Sequence, residues 1–437
     1  MWKTAQVRPN LSSIEAIEGK STSLVVHSHS SCPISMKIFS SLLWLSVCLI
    51  PALGAAQPKV SAESALVMDA ESGKILYYKN ADVSRFPAST TKIMTAMLLL
   101  ENCTPDEIIV APKDIDKVNQ ASMHLHPGEK ITAGDMLYGL LLRSANDGCV
   151  AVADHISGSV EKFVELMNKR AKELGCTNTH FNNPNGLNDD HHTTTAHDLA
   201  LIARKAMSYP AFAQAVKTYK YSIKRDPKVT HDTLMINHDK YLLKDPTADG
   251  IKTGWTIPAG RCFVGSATRN GYRIITVVLK CKDWQKDNGD LLNWAFATHE
   301  REAAFKPGQV LGPVRVEGGT KSEVSLVPAG QLIHMWRKGS SRDAQVQFLY
   351  DKTLRAPIAK GQKIGTVQMT DADGFSQHVD LLSNEDVPQS TMAGLVQHSS
   401  SPASFYLIGG CLGAGAFYMR RKSSKVKAYS KQAYRSV

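Results

Sequence analysis

From Val387 to Met419 the chain carries no Asp, Glu, Lys or Arg, and the apolar end of that stretch, Pro402 to Met419, runs straight into Arg420, Arg421 and Lys422. This feature limits what the chain can fold into, because any water-soluble core has to be built from the residues before it. As a helix, 402–419 spans roughly 27 Å, close to the hydrocarbon thickness of a bilayer. Phe405-Tyr406 and Phe417-Tyr418 bracket it as an aromatic belt would, and the basic tail 420–437 places the C-terminus in the cytoplasm by the positive-inside rule. The run is apolar all round, which favours spanning over lying in the interface. Gly409 and Gly413 form a G-x-x-x-G pair that offers a seat to a second copy of the helix, and so a homodimer contact.

A second apolar run lies near the other end. Met36-Lys37, the run Ile38 to Leu53 and the small residues Gly54-Ala55-Ala56 have the order of a signal peptide, so 36–56 is expected to be removed and Gln57 to begin the mature chain. Residues 1–35 are polar and read as unstructured or as a mis-assigned start, with Met36 as the initiator. The expected topology is a secreted body, a linker at 388–401 rich in Ser and Gln, one span at 402–419 and a short cytoplasmic tail.

Charge follows the same division. Of the net +11, seven units sit in the last eighteen residues and two in residues 1–56, leaving +2 for the body. A body so near neutral carries no electrostatic footprint for nucleic acid. Eight cysteines are present, five of them (Cys103, Cys149, Cys176, Cys262 and Cys281) in the body. Their spacings are irregular and include no C-x₂-C, so no zinc framework is expected. An oxidising compartment would allow one or two disulfides, with a pairing that spacing does not fix.

Within the body, 65–69 and 74–78 flank Glu71-Ser-Gly73 as a hairpin. Pro87 opens a helix with an apolar face at Ile93, Met94, Met97, Leu98 and Leu100. Helical stretches follow at 134–144, 147–156 and 159–175. Asn183-Pro-Asn-Gly186 is a turn, and Thr195-Ala-His-Asp198 resembles a capping box with Asp in place of Glu. Strands are expected at 249–256, 261–268 and 272–280, the last two joined at Asn270-Gly271. This α+β pattern occupies 57–303. From 307 to 387 valines and isoleucines recur at short spacings between Gly and Pro, which predicts a small all-β sandwich.

Three short motifs carry chemistry. In Ser89-Thr90-Thr91-Lys92 the i, i+3 spacing puts the lysine amine beside the serine hydroxyl. A lysine made neutral by burial can then take the serine proton. Ser144-Ala145-Asn146 lies between two helices, where a hydroxyl and an amide can relay a proton and hold a carbonyl, although Ser and Asn are also ordinary helix caps. Lys252-Thr253-Gly254 on a strand can bind a carboxylate, with Gly254 leaving room for a substrate backbone. Each is weak alone; the order and context of all three together are not.

On these residues the chain resembles the low-molecular-mass penicillin-binding D,D-carboxypeptidases over about residues 60–385. Phe86 to Thr95 is similar to the family's nucleophile motif. His126-Pro-Gly-Glu-Lys130 and Asp135 to Leu140 resemble its approach to the second motif, Asp249 to Gly254 its third, and Lys360 to Gly365 its C-terminal β domain. Ala145 stands where Gly or Asp is more usual. The resemblance implies a serine β-lactamase/D,D-peptidase-like α+β catalytic domain, with an antiparallel sheet and helices, and cleavage of peptidoglycan stem peptides ending in D-Ala-D-Ala. In that scheme Ser89 is the nucleophile and Lys92 the base. Ser144 passes a proton to the leaving amine and Asn146 orients the peptide. Lys252 and Thr253 bind the terminal carboxylate, and the N–H groups of Ser89 and Trp255 form the oxyanion hole. β-Lactams would acylate the same serine, no metal or organic cofactor would be needed, and the enzyme would sit at the bacterial cytoplasmic membrane with its catalytic domain outside.

Three rival readings carry different expectations. A class A β-lactamase needs a further glutamate for deacylation, and between Asn146 and Lys252 only Glu161, Glu165 and Glu173 are available, none with Asn four residues later. A D,D-endopeptidase would cut cross-links beside the same D-alanine. A non-catalytic peptidoglycan sensor would have no need of the intact Ser89 and Lys92. The group His180, His191, His192 and His197 around Asp189 and Asp190 matches no zinc signature and reads as a solvated loop, with His197 at a helix start.

Overall fold

The computed structural model describes residues 23–25 and 56–391, apart from 119, 226–228, 230, 231 and 352. The expected signal peptide, the transmembrane run with Gly409 and Gly413, and the basic tail lie outside the described residues, as does most of the linker. Among the described residues no helix is long and apolar enough to cross a membrane. The chain divides into two compact units, one of residues 29–303 with 333–342, the other of 1–28, 304–332 and 343–437.

The larger unit is organised by a five-stranded antiparallel sheet in the order Ile75–Lys79, Ser64–Asp69, Tyr272–Cys281, Gly260–Arg269, Ala248–Thr256. Its central strands read almost continuously apolar because both faces are covered. The period-two alternation then divides their side chains. Leu66, Met68, Ile275, Val277 and Leu279 join a core with Ile93, Met97 and Leu199 from helices on one side. Ala65, Val67, Ile274 and Val278 join another with Leu291, Leu292 and Ala295 of the helix Trp284–Thr298 on the opposite side. The hairpin at Asn270-Gly271 forms as the sequence predicts, both residues having φ near the left-handed region, 51° and 80°. The helices Asn146–Ser157, Val160–Glu173 and Ala196–Ala206 also match their predicted positions.

Several expectations change in detail. Pro87 is followed not by an α-helix but by a 3-10 turn, Ala88–Thr91, before the helix Lys92–Asn102 begins. The stretch expected as one helix over 134–144 is an α segment, Ala133–Tyr138, continued by a π turn, Gly139–Arg143. Only half of the predicted capping box exists. Thr195 accepts from the Asp198 N–H, while the Asp198 carboxylate turns away to the Asn178 N–H and the Thr179 hydroxyl. All five described cysteines are free thiols.

In the smaller unit Gly312–Glu317, Glu323–Pro328, Ala344–Tyr350, Lys363–Asp371 and Ser376–Ser383 belong to one hydrogen-bonded sheet, while Leu332–Arg337, also within the predicted β region, pairs with His299–Phe305 in a second, two-stranded sheet. The ladder from Lys363–Asp371 to Ser376–Ser383 continues into Glu323–Pro328, so it never breaks into two. Val314, Leu326, Val367, Met369 and Leu381 of the larger sheet meet Phe305 and Leu332 of the two-stranded one in a single core. Segment 1–35, expected to be unstructured, supplies one short strand, Ser23–Val25, paired with Ala344–Tyr350.

Candidate active site

The three motifs converge in the larger unit. Ser89 stands in the 3-10 turn, where residues i and i+3 eclipse more closely than in an α-helix. Lys92, the first residue of the helix that follows, is fully buried and directs Nζ to Ser89 Oγ at 3.1 Å, Asn146 Oδ1 at 2.8 Å and the Asn185 carbonyl at 2.6 Å. Burial pulls the lysine well below its ordinary pKa, against the smaller opposing influences of Cys149 and Asp147. As a neutral amine it would keep two N–H bonds to the two carbonyl oxygens and turn its lone pair to the serine hydroxyl.

The second motif is placed by the π turn. The turn ends at Ser144, held in the left-handed region at φ 63°, and the chain re-enters a helix at Asn146. Ser144 lines a cavity of about 270 Å³ together with Ser89, Thr253, Gly254, Trp255, His238 and Arg261. Trp255 stands at the solvent side, 63% exposed. Lys252 is buried and donates to the Thr253 carbonyl at 3.0 Å. Burial first, and the Lys92 charge second, bring its pKa down to about 7. His238 is pushed down to about 4 by burial and by the cations Lys252, Arg143 and Lys92. The permanent cation in the wall is the Arg261 guanidinium, which keeps the cavity electropositive with a neutral imidazole, a setting that suits a carboxylate.

Gly254 lines the cavity and also has a packing role that its sequence context did not show. A Cβ there would lie 3.0 Å from the Ser89 nitrogen and 3.1 Å from the Pro87 carbonyl oxygen, so its bareness admits the nucleophile's own turn against the strand. That contact sets the distance between the first motif and the third.

Sequence reasoning missed the groups that hold these parts together. The turn 183–186 is part of the site, since the Asn185 carbonyl accepts from Lys92 and the Pro184 carbonyl from the Thr95 hydroxyl at 2.5 Å. Gly186 makes the approach feasible: its φ is +86°, and a Cβ would fall 1.9 Å from the Ala88 oxygen. His192, predicted to lie in a solvated loop, is buried. Its Nδ1 accepts the Asn182 N–H at 2.9 Å, so Nε2 carries the proton to Thr91 Oγ1 at 2.8 Å. Asp147, beside Asn146, accepts from the Ser122 hydroxyl and from the N–H groups of Met123, Leu125 and Gly148. Glu129 makes a two-pronged pair with Arg225, both bonds 2.7 Å, and Arg225 also donates to the carbonyls of Met123 and His124. These buried ties fix the loop 121–129 on one side of the cavity. The only signals in the sequence were a charged residue next to a motif and a glycine after an Asn-Pro-Asn run.

Glu161, Glu165 and Glu173 are all solvent-exposed on one helix, away from any role as a deacylating base. His197 pairs with Asp82 at 3.1 Å at its helix start and does not join His192.

Residues 52–283 match the family model described as D-alanyl-D-alanine carboxypeptidase, and 300–389 match that of the penicillin-binding protein 5 C-terminal domain. The D-alanyl-D-alanine carboxypeptidase DacF of Bacillus subtilis is 34% identical over 315 residues, covering 70% of this chain and 80% of that one. DacA of Escherichia coli is 30% identical over 360 residues, covering 78% and 87%. Among solved structures, penicillin binding protein 5 from Haemophilus influenzae aligns with a TM-score of 0.66 at 30% identity, over 77% of this chain and all of that one. The Streptomyces K15 DD-transpeptidase aligns at 0.53 and 33% identity, over 55% and 99%.

Proposed function

Because the chain belongs to the D-alanyl-D-alanine carboxypeptidase family, we propose that it removes the terminal D-alanine from peptidoglycan stem peptides through an acyl-enzyme on Ser89. The observation that carries this reading is the buried Lys92 amine, 3.1 Å from the Ser89 hydroxyl and held by two carbonyl oxygens. Lys92 takes the hydroxyl proton as Ser89 Oγ attacks the carbonyl between the two D-alanines. The N–H groups of Ser89 and Trp255 stabilise the oxyanion. Ser144 delivers a proton to the departing amine, Asn146 orients the peptide, and Lys252 and Thr253 receive the terminal carboxylate. Water then hydrolyses the ester and restores Ser89. A β-lactam opened by the same serine leaves an acyl-enzyme of the same kind. No step calls for a metal or organic cofactor.

The apolar run 402–419 with the basic tail behind it supports a single-pass anchor in the bacterial cytoplasmic membrane and a catalytic domain on its outer side. The pair Gly409 and Gly413 supports a homodimer contact within that span. The likeness to a protein described as a DD-transpeptidase supports a second outcome, in which the acyl group passes to an amine instead of water.

The test is D-alanine release from a stem peptide ending in D-Ala-D-Ala, by the purified protein and by Ser89→Ala, beside labelling with a fluorescent penicillin. Release and labelling by the wild type alone are expected. Labelling without release, with cleavage of cross-linked dimers or transfer to an added amine, would move the reading to an endopeptidase or transpeptidase. Neither release nor labelling would sink the serine mechanism.

A further inference from the structure

At the end of the catalytic unit's first helix, away from Ser89, three side chains of different chemistry meet. Cys103 caps the helix Lys92–Asn102, Glu107 closes the turn that follows, and His155 stands in the last turn of the helix Asn146–Ser157. One donor atom from each lies within 4.8 Å of the other two. His155 Nε2 and Glu107 Oε1 are 2.8 Å apart, with side chains 24% and 38% exposed. The other four described cysteines are buried, and each directs its thiol to a backbone carbonyl: Cys149 to Ala145, Cys176 to Asp198, Cys262 to Phe86 and Cys281 to Arg261. Cys103 is the half-buried exception.

We propose that Cys103, Glu107 and His155 form a site for a divalent zinc ion, with solvent water as the fourth ligand. A thiolate, an imidazole and a carboxylate are a donor set that suits zinc better than calcium or magnesium. Bonds of about 2.0 to 2.3 Å in a tetrahedron place donor atoms roughly 3.3 to 3.6 Å apart. The imidazole and carboxylate therefore separate by about half an ångström, and the sulfur, no more than 4.8 Å from either, closes by about an ångström at most. The ligands are already positioned. The Cys103 N–H is bonded to the Leu99 carbonyl at 3.0 Å, and Glu107 Oε2 accepts the Thr104 N–H at 3.1 Å, an outer contact that orients the carboxylate. Binding replaces the S–H bond by S–Zn and releases that proton to solvent. The ion joins the far ends of two helices whose near ends meet at the 2.8 Å contact between Lys92 and Asn146, and so staples the helix pair that carries the base.

Cobalt(II) added to the full-length metal-free protein reports directly on thiolate ligation. We expect a thiolate-to-cobalt charge-transfer band that zinc abolishes at one equivalent, and a Tm raised by a few degrees with zinc. In Cys103→Ser the band should vanish and zinc affinity fall at least tenfold, while penicillin labelling stays at the wild-type level and shows that the variant is folded. His155→Gln should weaken zinc similarly. A band of equal strength in Cys103→Ser, or no band in the wild type, overturns the proposal.

Discussion

The two units of the molecule spend their backbones differently. Among the described residues, every non-glycine residue with positive φ lies in the catalytic unit, and Ala88, Gln120 and Ser144 are next to or within the cavity wall. The β unit has only glycines there. Burial follows the same line. The catalytic unit buries Lys92, Lys252, Asp147, Asp239, Glu129 and His192, whereas the β unit buries a single charged side chain among the described residues, Asp371, which closes its own turn by accepting from the Asp373 and Phe375 N–H groups. Strain of about 1 to 3 kcal/mol per residue, and buried charge, persist only where surrounding contacts over-determine them. The contrast shows where the fold gives up regularity for chemistry.

Breaking a buried ion pair should separate the two units most. The Glu129–Arg225 pair is almost wholly buried, at 2% and 0% side-chain exposure, so Arg225→Met should cost about 3 to 5 kcal/mol and loosen the loop 121–129. The pair Lys363–Asp380 of the β unit is 59% and 39% exposed, and Lys363→Ala should cost about 0 to 1 kcal/mol. Chemical denaturation of both variants, read beside penicillin labelling, checks this. Equal losses would remove the distinction drawn here.

A glycine pair sharpens it. Gly186→Ala forces a carbon onto the Ala88 oxygen, whereas Gly374→Ala in the β unit has a similar φ, +82°, and nothing within 4 Å. The first should lower the acylation rate by about a hundredfold or more, since roughly an ångström of misplacement at the base is worth that much. The second should cost only the left-handed backbone penalty, about 1 kcal/mol, and leave acylation intact. Stopped-flow acylation by a chromogenic β-lactam measures both.

Acid sensitivity, nil at neutral pH, sharpens the comparison last. Burial holds His192, His238 and His299, all in the catalytic unit, at pKa values of about 4. The unfolded chain binds their protons at about 6.5 and the folded one does not. Stability therefore falls as pH drops from 6.5 towards 4, at up to about 1.4 kcal/mol per group and pH unit. His192→Gln should flatten that slope in a thermal-melt series, although it costs stability at neutral pH. An unchanged slope would show that His192 is solvated after all.

Much of this was legible in the sequence, and for physical reasons. Strands at 248–256, 260–269 and 272–281 announce themselves by composition and an Asn-Gly turn. The motif residues Ser89, Lys92 and Asn146 announce themselves by chemical type and spacing. What stayed hidden depends on long-range contact. Nothing local distinguishes His192, which reaches Thr91, from His191 beside it, and nothing in Asp147 reveals that it holds Ser122 and Met123. The π turn that presents Ser144 was also invisible, because a helix period over 134–144 does not show where hydrogen bonds slip by one residue. In the β unit alternation marked the strands but not their pairing, and did not show that Leu332–Arg337 would leave the larger sheet for His299–Phe305.

One oxygen that holds the base belongs to no side chain. The Asn185 carbonyl at 2.6 Å from Lys92 is present whatever residue occupies that position. A survey by alanine replacement would score position 185 on its amide, which serves the Leu187 N–H, and would pass over the atom that matters. Inheritance treats the same atom in the same way: it cannot be lost by a codon change at its own position, only by a change that moves the main chain. The vulnerable letter of the gene is therefore the neighbouring glycine codon.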